Sequence, residues 1–353
     1  MKPLKILSFG AGAIGTYIGG SLALAGHKVT FVEQPRIADG LRERGLRLDL
    51  SLDSRRVEQK QFTLLPPAVE FALSIPEALS RGPYDVALFA LKSYDTPAAV
   101  ETLKPFARDL PPALCLQNGV DNEPALVSVL GAEKVIYGTV TSAVGRPGPG
   151  DIILEKLRGV GVADGHPLSK TLAEALDGAL LNCQLFPKAA DMKWSKMLTN
   201  LLSNPTSAIL DMTATEVFAH PGLYRLEIDQ LRECLAVMKA QGIGVVDLPG
   251  TPVRLLALST SLPLWLSKPF LSKAAGAGRG AKMPSFHIDL HAGRRKSEVT
   301  YLHGAVVRAG QVFGVPTPVN KMLTETLLAL TDGSIPLAEY SHQPEKLLKR
   351  LHA

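Results

Sequence analysis

The glycine-rich stretch GAGAIG constrains the fold of this chain more than any other part of its sequence. It sets Gly10, Gly12 and Gly15 in G-x-G-x-x-G spacing, after an apolar run in residues 5–10 that predicts a short buried strand. The residues that follow predict a helix. Glycines at such a junction permit a tight turn, let the backbone approach a pyrophosphate and let the helix pack closely on the strand. We therefore expect a dinucleotide-binding turn made of Gly10, Ala11, Gly12, Ala13, Ile14 and Gly15.

A carboxylate at the end of the next predicted strand agrees with this interpretation. The stretch VTFVE ends at Glu33, about 20 residues after the glycines, where an acid that binds the ribose hydroxyls of a dinucleotide is expected. Two simpler interpretations stay open. The turn could join strand and helix without binding a ligand, and Glu33 could point into solvent.

Strand and helix patterns alternate through the first half of the chain and then give way to helices alone. Further strands are predicted in residues 84–92, 112–120 and 134–144. Such alternation is typical of a parallel sheet with helices on both faces. After Pro187, helical patterns follow in residues 191–204, 222–241 and 299–313.

These patterns predict an α/β protein with two domains. The first, residues 1–188, is expected to be a Rossmann-type, doubly wound parallel sheet that binds the dinucleotide. The second, residues 189–353, is expected to be all-helical and to bind the substrate. The stretch 272–285, rich in glycine and alanine, is expected to be a loop.

Three polar residues repeat at helical spacing in the stretch KWSKMLTNLLSN. Lys196, Asn200 and Asn204 stand four apart, so one helix would carry them on one narrow face, while the apolar residues between them face a core. Asparagines in the middle of a helix contribute little to its stability. That face is therefore either simply hydrated or the lining of a polar cavity.

Composition and charge exclude several classes of protein. The net charge of +5 is small for 353 residues, and no basic run with interleaved aromatics indicates a nucleic-acid partner. The apolar segment 252–271 contains Arg254, Lys268 and internal prolines, which argues against a membrane span. The cysteines, at positions 115, 183 and 234, are few and far apart, which fits a cytoplasmic protein.

One short stretch, FHIDLHAG, raises the question of a metal site. On a helix, His287 and His291 would share a face while Asp289 points elsewhere. No further cluster of cysteines or histidines supports it in the sequence. We therefore expect no metal.

Four motifs together resemble one known family. LKSYDT ends the third predicted strand, QNGVDNE ends the fourth, KWSKMLTNLLSNPTSAI opens the helical half, and AGRRKSEVTYLHGAVVRAGQVFGVPTPVN lies near the end. In this order they closely resemble the ketopantoate reductases over nearly the whole chain. The resemblance implies reduction of 2-dehydropantoate to pantoate with a nicotinamide cofactor, a step of pantothenate and coenzyme A biosynthesis, at an active site between the two domains.

The resemblance also assigns roles residue by residue. It implies that Lys196 is the catalytic lysine, that Lys92 lies near the cofactor and that Asn118 contacts both cofactor and substrate. The substrate-binding residues that it implies are Asn118, Asn200, Asn204, Ser285 and Glu298. Reduction of a ketone places negative charge on the carbonyl oxygen, which an ammonium stabilises and protonates. Glu298 would accept a hydrogen bond from the substrate hydroxyl or orient Lys196.

Some departures from the family pattern leave the substrate open. Thr213, Ala214, Thr215 and His303 stand where family members commonly carry asparagine or glycine, and the segment 245–285 is longer than in compact members. The alternatives are the same chemistry on another branched 2-oxo acid or on an opine-type imine, or an inactive dinucleotide-sensing protein. The partner expected is in any case a small anionic 2-oxo acid. The sequence does not determine the oligomeric state, and a homodimer stays open.

The cofactor is expected to be NADPH or NADH, and one position favours NADH. Family members usually prefer NADPH and carry an arginine just after the second strand. Here Glu33 and Gln34 occupy this place and are expected to contact the cofactor. A carboxylate accepts hydrogen bonds from both ribose hydroxyls of NADH and repels the 2′-phosphate of NADPH. Arg36 could substitute for the missing arginine, so both cofactors stay open.

Overall fold

The computed structural model describes residues 2–269, 271 and 283–352. The chain divides into two compact units. The first comprises Met1–Lys193 and Leu248–Thr251, and the second Trp194–Asp247 and Pro252–Ala353. The predicted domains, residues 1–188 and 189–353, stay a prediction, because compactness does not test independent folding. Most of the predicted loop, residues 272–282, lies outside the described residues.

The described residues of the first unit form two sheets and six complete α-helices. Its strands are β1 (Lys5–Phe9), β2 (Lys28–Val32), β3 (Leu46–Asp49), β4 (Gln61–Leu64), β5 (Val69–Ala72), β6 (Val86–Phe89), β7 (Ala113–Cys115), β8 (Val135–Val140), β9 (Ala143–Gly148), β10 (Asp151–Lys156), β11 (Val160–Ala163) and β12 (Cys183–Phe186). Its helices are α1 (Ala13–Leu24), α2 (Pro35–Arg44), α3 (Ile75–Ser80), α4 (Thr96–Leu103), α5 (Asn122–Leu130) and α6 (Ser169–Gly178).

The larger sheet confirms the predicted α/β fold. Its strand order is β12-β11-β8-β7-β6-β1-β2-β5, and all its neighbouring strands are parallel except β8 and β11. The chain moves outward from β1 in one direction through β2 and in the other through β6. The carboxyl ends of β1, β6 and β7 therefore meet at one edge of the sheet, where such folds bind ligands. The smaller sheet has the order β4-β3-β10-β9.

Strand β1 shows why this sheet is covered on both faces. Ile6 belongs to one buried apolar cluster, and Leu7 and Phe9 belong to a second. Successive strand residues point to opposite faces, so Ile6 packs on one face of the sheet, and Leu7 and Phe9 pack on the other. On the first face the rings of Phe31 and Phe71, from β2 and β5, stack with centroids 5.8 Å apart.

The described part of the second unit is helical. Its helices are α7 (Ala189–Leu201, which begins in the first unit), α8 (Asn204–Leu210), α9 (Ala214–Ala219), α10 (Pro221–Ala240), α11 (Val253–Ser261), α12 (Ser285–His291), α13 (His303–Phe313), α14 (Pro318–Asp332) and α15 (Pro344–Lys349). Residues 264–269 are helical as well. The predicted helix 299–313 is divided into a 3-10 turn, Glu298–Tyr301, and α13. Among the described residues, no helix is long and apolar enough to span a membrane.

The helix predicted over residues 191–204 is confirmed as far as Leu201, but its continuation to residue 204 is wrong. The helix is interrupted between α7 and α8, where Ser203 has a left-handed backbone with φ of 55°. Pro205 has no N–H for a continuing helix and is tolerated only in a first turn. The buried carboxylate of Glu227 accepts the N–H of Ser203 at 2.6 Å and so caps α8 from α10. Asn204 therefore begins a new helix and does not continue the face that carries Lys196.

The glycine turn after β1 is fixed by one close approach. Gly10 has φ of 86°, which glycine adopts without strain. A Cβ atom on Gly15 would collide with the carbonyl oxygen of Gly10. Helix α1 can therefore lie this close to the turn only because position 15 has no side chain.

Gly15→Ala should lower the stability of the first unit. The added methyl group meets a backbone oxygen, which cannot move aside like a side chain, so we expect a loss of about 1–3 kcal/mol, as in other overpacked sites. Gly40→Ala is the matched control, since nothing lies within 4 Å of that Cβ on the exposed side of α2. Thermal unfolding should show a lower Tm for Gly15→Ala and an unchanged or higher Tm for Gly40→Ala. Equal melting temperatures for Gly15→Ala and wild type would contradict the role of this contact.

Candidate active site

The glycine turn leaves space at the position where a ligand is expected. A Cβ atom on Gly12 would meet nothing within 4 Å, in contrast to Gly15. Gly12 is the N-cap of α1, and its extended backbone directs the first N–H groups of the helix out of the turn. The residues present therefore fit a pyrophosphate, whose charge the helix N-terminus favours.

Glu33 turns towards this glycine loop. Its carboxylate accepts a hydrogen bond from the Ala11 N–H at 2.5 Å and another from the Gln34 N–H at 3.1 Å. The side chain is half-buried, so it does not extend freely into solvent. Gln34 and Arg36 are exposed at the start of α2. The structure thus brings Glu33 to the glycine turn, while its contact with a cofactor stays a prediction.

Lys92 and Asn118 lie just beyond the neighbouring strands β6 and β7. Phe89 pairs with Phe9 of β1 on one side and with Cys115 on the other, so both residues lie at the same sheet edge as the glycine turn. Two donors fix the backbone carbonyl of Asn118: the Ser93 hydroxyl at 3.0 Å and the Asn122 amide at 2.7 Å.

A buried ion pair holds the backbone near this edge of the sheet. The Lys193 ammonium lies 2.6 Å from a carboxylate oxygen of Glu123, and their side chains are 4% and 0% exposed. The same ammonium donates to the carbonyl oxygens of Gln117 at 2.7 Å and Gly138 at 3.2 Å. The ammonium thus pairs with the carboxylate and donates to two carbonyl oxygens, one just beyond β7 and one within β8.

Further hydrogen bonds connect Gln117 to the segment that follows β6. The Gln117 amide donates to the Leu91 carbonyl and to the Thr96 hydroxyl, each at 2.9 Å. The Thr96 hydroxyl in turn donates to the side-chain oxygen of Asn122 at 2.8 Å. Burial raises the pKa of the adjacent Cys115 thiol well above its ordinary value. Cys115 therefore stays a neutral core residue and is not a nucleophile.

The second unit brings together residues from distant parts of the chain. The Asn204 amide oxygen accepts the Phe286 N–H at 3.1 Å, and its amide group lies 3.5 Å from the Ser285 hydroxyl. Asn204 also donates to the Asn200 carbonyl at 3.2 Å. Lys196 lies one turn before Asn200 on α7 and is partly exposed.

Two further residues have clear positions. Glu298 begins the 3-10 turn after Ser297 and is 5% exposed. Its role, either to accept a hydrogen bond from the substrate hydroxyl or to orient Lys196, stays a prediction. His303, where family members commonly carry asparagine, is fully buried and contacts Gln230 at 3.0 Å. Burial lowers its pKa to about 3, so it is a neutral core residue.

The residues that support the site carry only weak signals in the sequence. Lys193 and Glu123 appeared as ordinary members of helices, although a lysine among the apolar residues of a buried helix face indicates a paired charge. Glu227 was equally inconspicuous within α10. These residues lie far apart in the chain, and their pairing becomes visible only in the fold.

The chain is similar to known proteins over most of its length. The chain matches the profile described as ketopantoate reductase PanE/ApbA over residues 6–164, and that of the C-terminal part of the same family over residues 188–331. A 2-dehydropantoate 2-reductase of Archaeoglobus fulgidus is 26% identical over 340 residues, which is 94% of this chain and 100% of that protein.

Solved structures have the same fold. A PanE/ApbA family ketopantoate reductase from Ralstonia eutropha superposes with a TM-score of 0.75 at 26% identity and covers 93% of this chain and 99% of that one. D-mandelate dehydrogenase superposes with a TM-score of 0.73 at 20% identity, with coverages of 93% and 99%. The similarity to D-mandelate dehydrogenase shows a shared fold alone.

Lys193→Met should strongly destabilise the first unit. It leaves the buried carboxylate of Glu123 without its cation, and breaking such pairs costs about 3–5 kcal/mol. The double variant Lys193→Met with Glu123→Leu removes both charges and should regain much of this loss. Exposed Lys188→Met is the control and should leave the Tm unchanged. If the double variant melts no higher than Lys193→Met, the loss arises from packing and not from the unpaired charge.

Proposed function

Because the chain belongs to the PanE/ApbA family of ketopantoate reductases and is an NAD(P)H-dependent reductase, we propose that it reduces the ketone of 2-dehydropantoate and forms pantoate. The Archaeoglobus fulgidus relative with this activity in its name aligns over the whole of its own length. At 26% identity the reaction class is better supported than the individual 2-oxo acid.

The contact between Asn204 and Ser285 carries the proposal. These residues lie 81 positions apart in the chain, and both are expected on the substrate side. Their amide and hydroxyl groups offer donors and acceptors without a formal charge. Such groups can hold the hydroxyl and carboxylate of a small acid and leave protonation of the ketone oxygen to another residue.

Lys196 is proposed to be that residue. When bound, the reduced nicotinamide supplies the hydride to the carbonyl carbon. The carbonyl oxygen then gains negative charge, which the Lys196 ammonium stabilises before it transfers a proton to the oxygen. Because a lysine is ordinarily protonated near neutral pH, it begins the reaction as an acid.

The remaining predicted residues orient the reactants. Asn200, one turn beyond Lys196, is proposed to bind the substrate with Asn204. Glu298 is proposed to accept a hydrogen bond from the substrate hydroxyl or to orient the ammonium. Lys92 and Asn118 are proposed to bind the cofactor at the sheet edge, together with the glycine turn.

Turnover of a set of 2-oxo acids tests the substrate directly. Purified protein is mixed with NADPH or NADH, and loss of the reduced nicotinamide absorbance is followed with 2-dehydropantoate, 2-oxoisovalerate and phenylglyoxylate, each with and without an added amine. The highest kcat/KM with 2-dehydropantoate supports the proposal. A higher value with another acid, or turnover that needs the amine, selects an alternative substrate. Dinucleotide binding without any turnover would indicate a sensing protein.

Lys196→Ala should abolish most turnover without loss of cofactor binding. Removal of a general acid ordinarily lowers kcat by about 10²–10⁴-fold. The dinucleotide Kd should change little, because the predicted cofactor residues belong to the first unit. Lys321→Ala removes an exposed lysine of α14 and should retain wild-type kcat. If Lys196→Ala keeps more than about half of the wild-type kcat, the residue is not the acid.

The position of Glu33 predicts that NADH is used at least as well as NADPH. Its carboxylate faces the glycine turn, where it would accept from a ribose diol and repel a 2′-phosphate. Glu33→Ala with Gln34→Arg should therefore shift the ratio of kcat/KM values towards NADPH by about tenfold or more, or about 1.4 kcal/mol. Glu43→Ala, an exposed charge on α2, is the control. A wild-type preference for NADPH that Glu33→Ala leaves unchanged would contradict this assignment.

A further inference from the structure

Two histidines and an aspartate from separate segments meet at the surface of the second unit. His287 and His291 are one turn apart on α12, and their rings stack with centroids 4.0 Å apart. Asp211 lies at the end of α8, 2.6 Å from Nε2 of His287 and 3.9 Å from Nε2 of His291. One potential ligand atom from each of the three residues lies within 4.8 Å of the others. Within residues 2–269, 271 and 283–352, this is the one such group.

The backbone holds the three side chains in place. Asp211 has φ of 52°, a left-handed conformation that ends α8 and presents its carboxylate to α12.

The spacing and the chemistry of these groups fit a transition-metal ion. In a tetrahedral zinc site, bonds of about 2.0–2.2 Å separate the ligand atoms by about 3.4 Å. The observed separations of 2.6 and 3.9 Å lie on either side of this value, so small rotations of partly exposed side chains suffice. Imidazole nitrogens favour zinc and its neighbours over magnesium or calcium.

We propose that Asp211, His287 and His291 bind a divalent transition-metal ion of the zinc type, with water in the remaining position. Asp289, the acid between the histidines in sequence, lies outside this set and is 3.2 Å from Arg294. The side chains of Asp211 and His291 are 42% and 31% exposed, so the ion can reach the site from solvent.

An ion here would join the same two helices that carry Asn204 and Ser285. Helix α8 begins at Asn204 and is followed directly by Asp211, while α12 begins at Ser285 and ends at His291. Hydrogen bonds connect the N-terminal ends of the two helices, and the metal would connect their C-terminal ends. The ion is thus proposed to brace the helices from outside the substrate residues, and this site does not depend on the proposed function.

Cobalt binding to the full-length protein, after removal of any histidine tag, tests the site. Co²⁺ replaces zinc in such sites and reports a tetrahedral environment by its visible absorption. We expect one equivalent of Co²⁺ per chain with this absorption, displacement by Zn²⁺, and a rise in Tm that saturates with metal concentration. Mg²⁺ should produce none of these effects. Absence of tetrahedral absorption at one equivalent would overturn the proposal.

Variants assign the ligands. His287→Gln, His291→Ala and Asp211→Asn should each weaken Co²⁺ binding by at least about tenfold. Asp289→Asn, on the same helix, and His166→Ala, in the first unit, should bind as wild type does. The Tm without metal shows whether each variant is folded, and a second substitution at the same position replaces any that is not. If the folded ligand variants bind Co²⁺ as tightly as wild type, the ion lies elsewhere and the proposed site is wrong.

Discussion

The buried ammonium of Lys193 is the interaction on which the candidate cofactor edge depends. The carbonyl groups of Gln117, just beyond β7, and Gly138, within β8, need donors, and the buried carboxylate of Glu123 needs a cation. One ammonium donates to both carbonyls and forms the ion pair with the carboxylate. A buried pair adds little net stability compared with apolar residues of the same shape, but loss of either partner is costly. The pair is thus best understood as fixing geometry, since it sets the backbone directly before Asn118.

The second unit satisfies a buried carboxylate in a different way. The carboxyl group of Glu227 lies inside a helical core. It accepts hydrogen bonds from three donors: the Ser203 N–H, the Thr206 hydroxyl at 2.5 Å and the Gln230 amide at 2.6 Å. Gln230 in turn contacts His303, which burial keeps neutral. This chain of polar contacts fixes the start of α8 and hence the position of Asn204. In both units, residues that touch no ligand position those expected to do so.

The fold class followed from the sequence because its signals are local. The glycine turn, the apolar strands and the helical repeats each occupy a few consecutive residues, and the confirmed parallel sheet follows from their alternation. The continuous helix over 191–204 was wrong because its break depends on Glu227, more than twenty positions away, as much as on Pro205. The group formed by Asp211 with His287 and His291 was missed for the same reason. Periodicity shows which residues share a face of one element, but not which elements meet.

The break at Ser203 changes the mechanics of the polar residues that the sequence had aligned. On one continuous rod, Lys196, Asn200 and Asn204 would translate and rotate together. With α7 ending at Leu201, the proposed proton donor and Asn204 lie on separate helices, and Asn204 contacts both α12 through Phe286 and α7 through the Asn200 carbonyl. The angle between α7 and α8 therefore sets the distance between the proposed acid and the proposed substrate-binding amide. A substitution at this break would change that distance without replacing either residue.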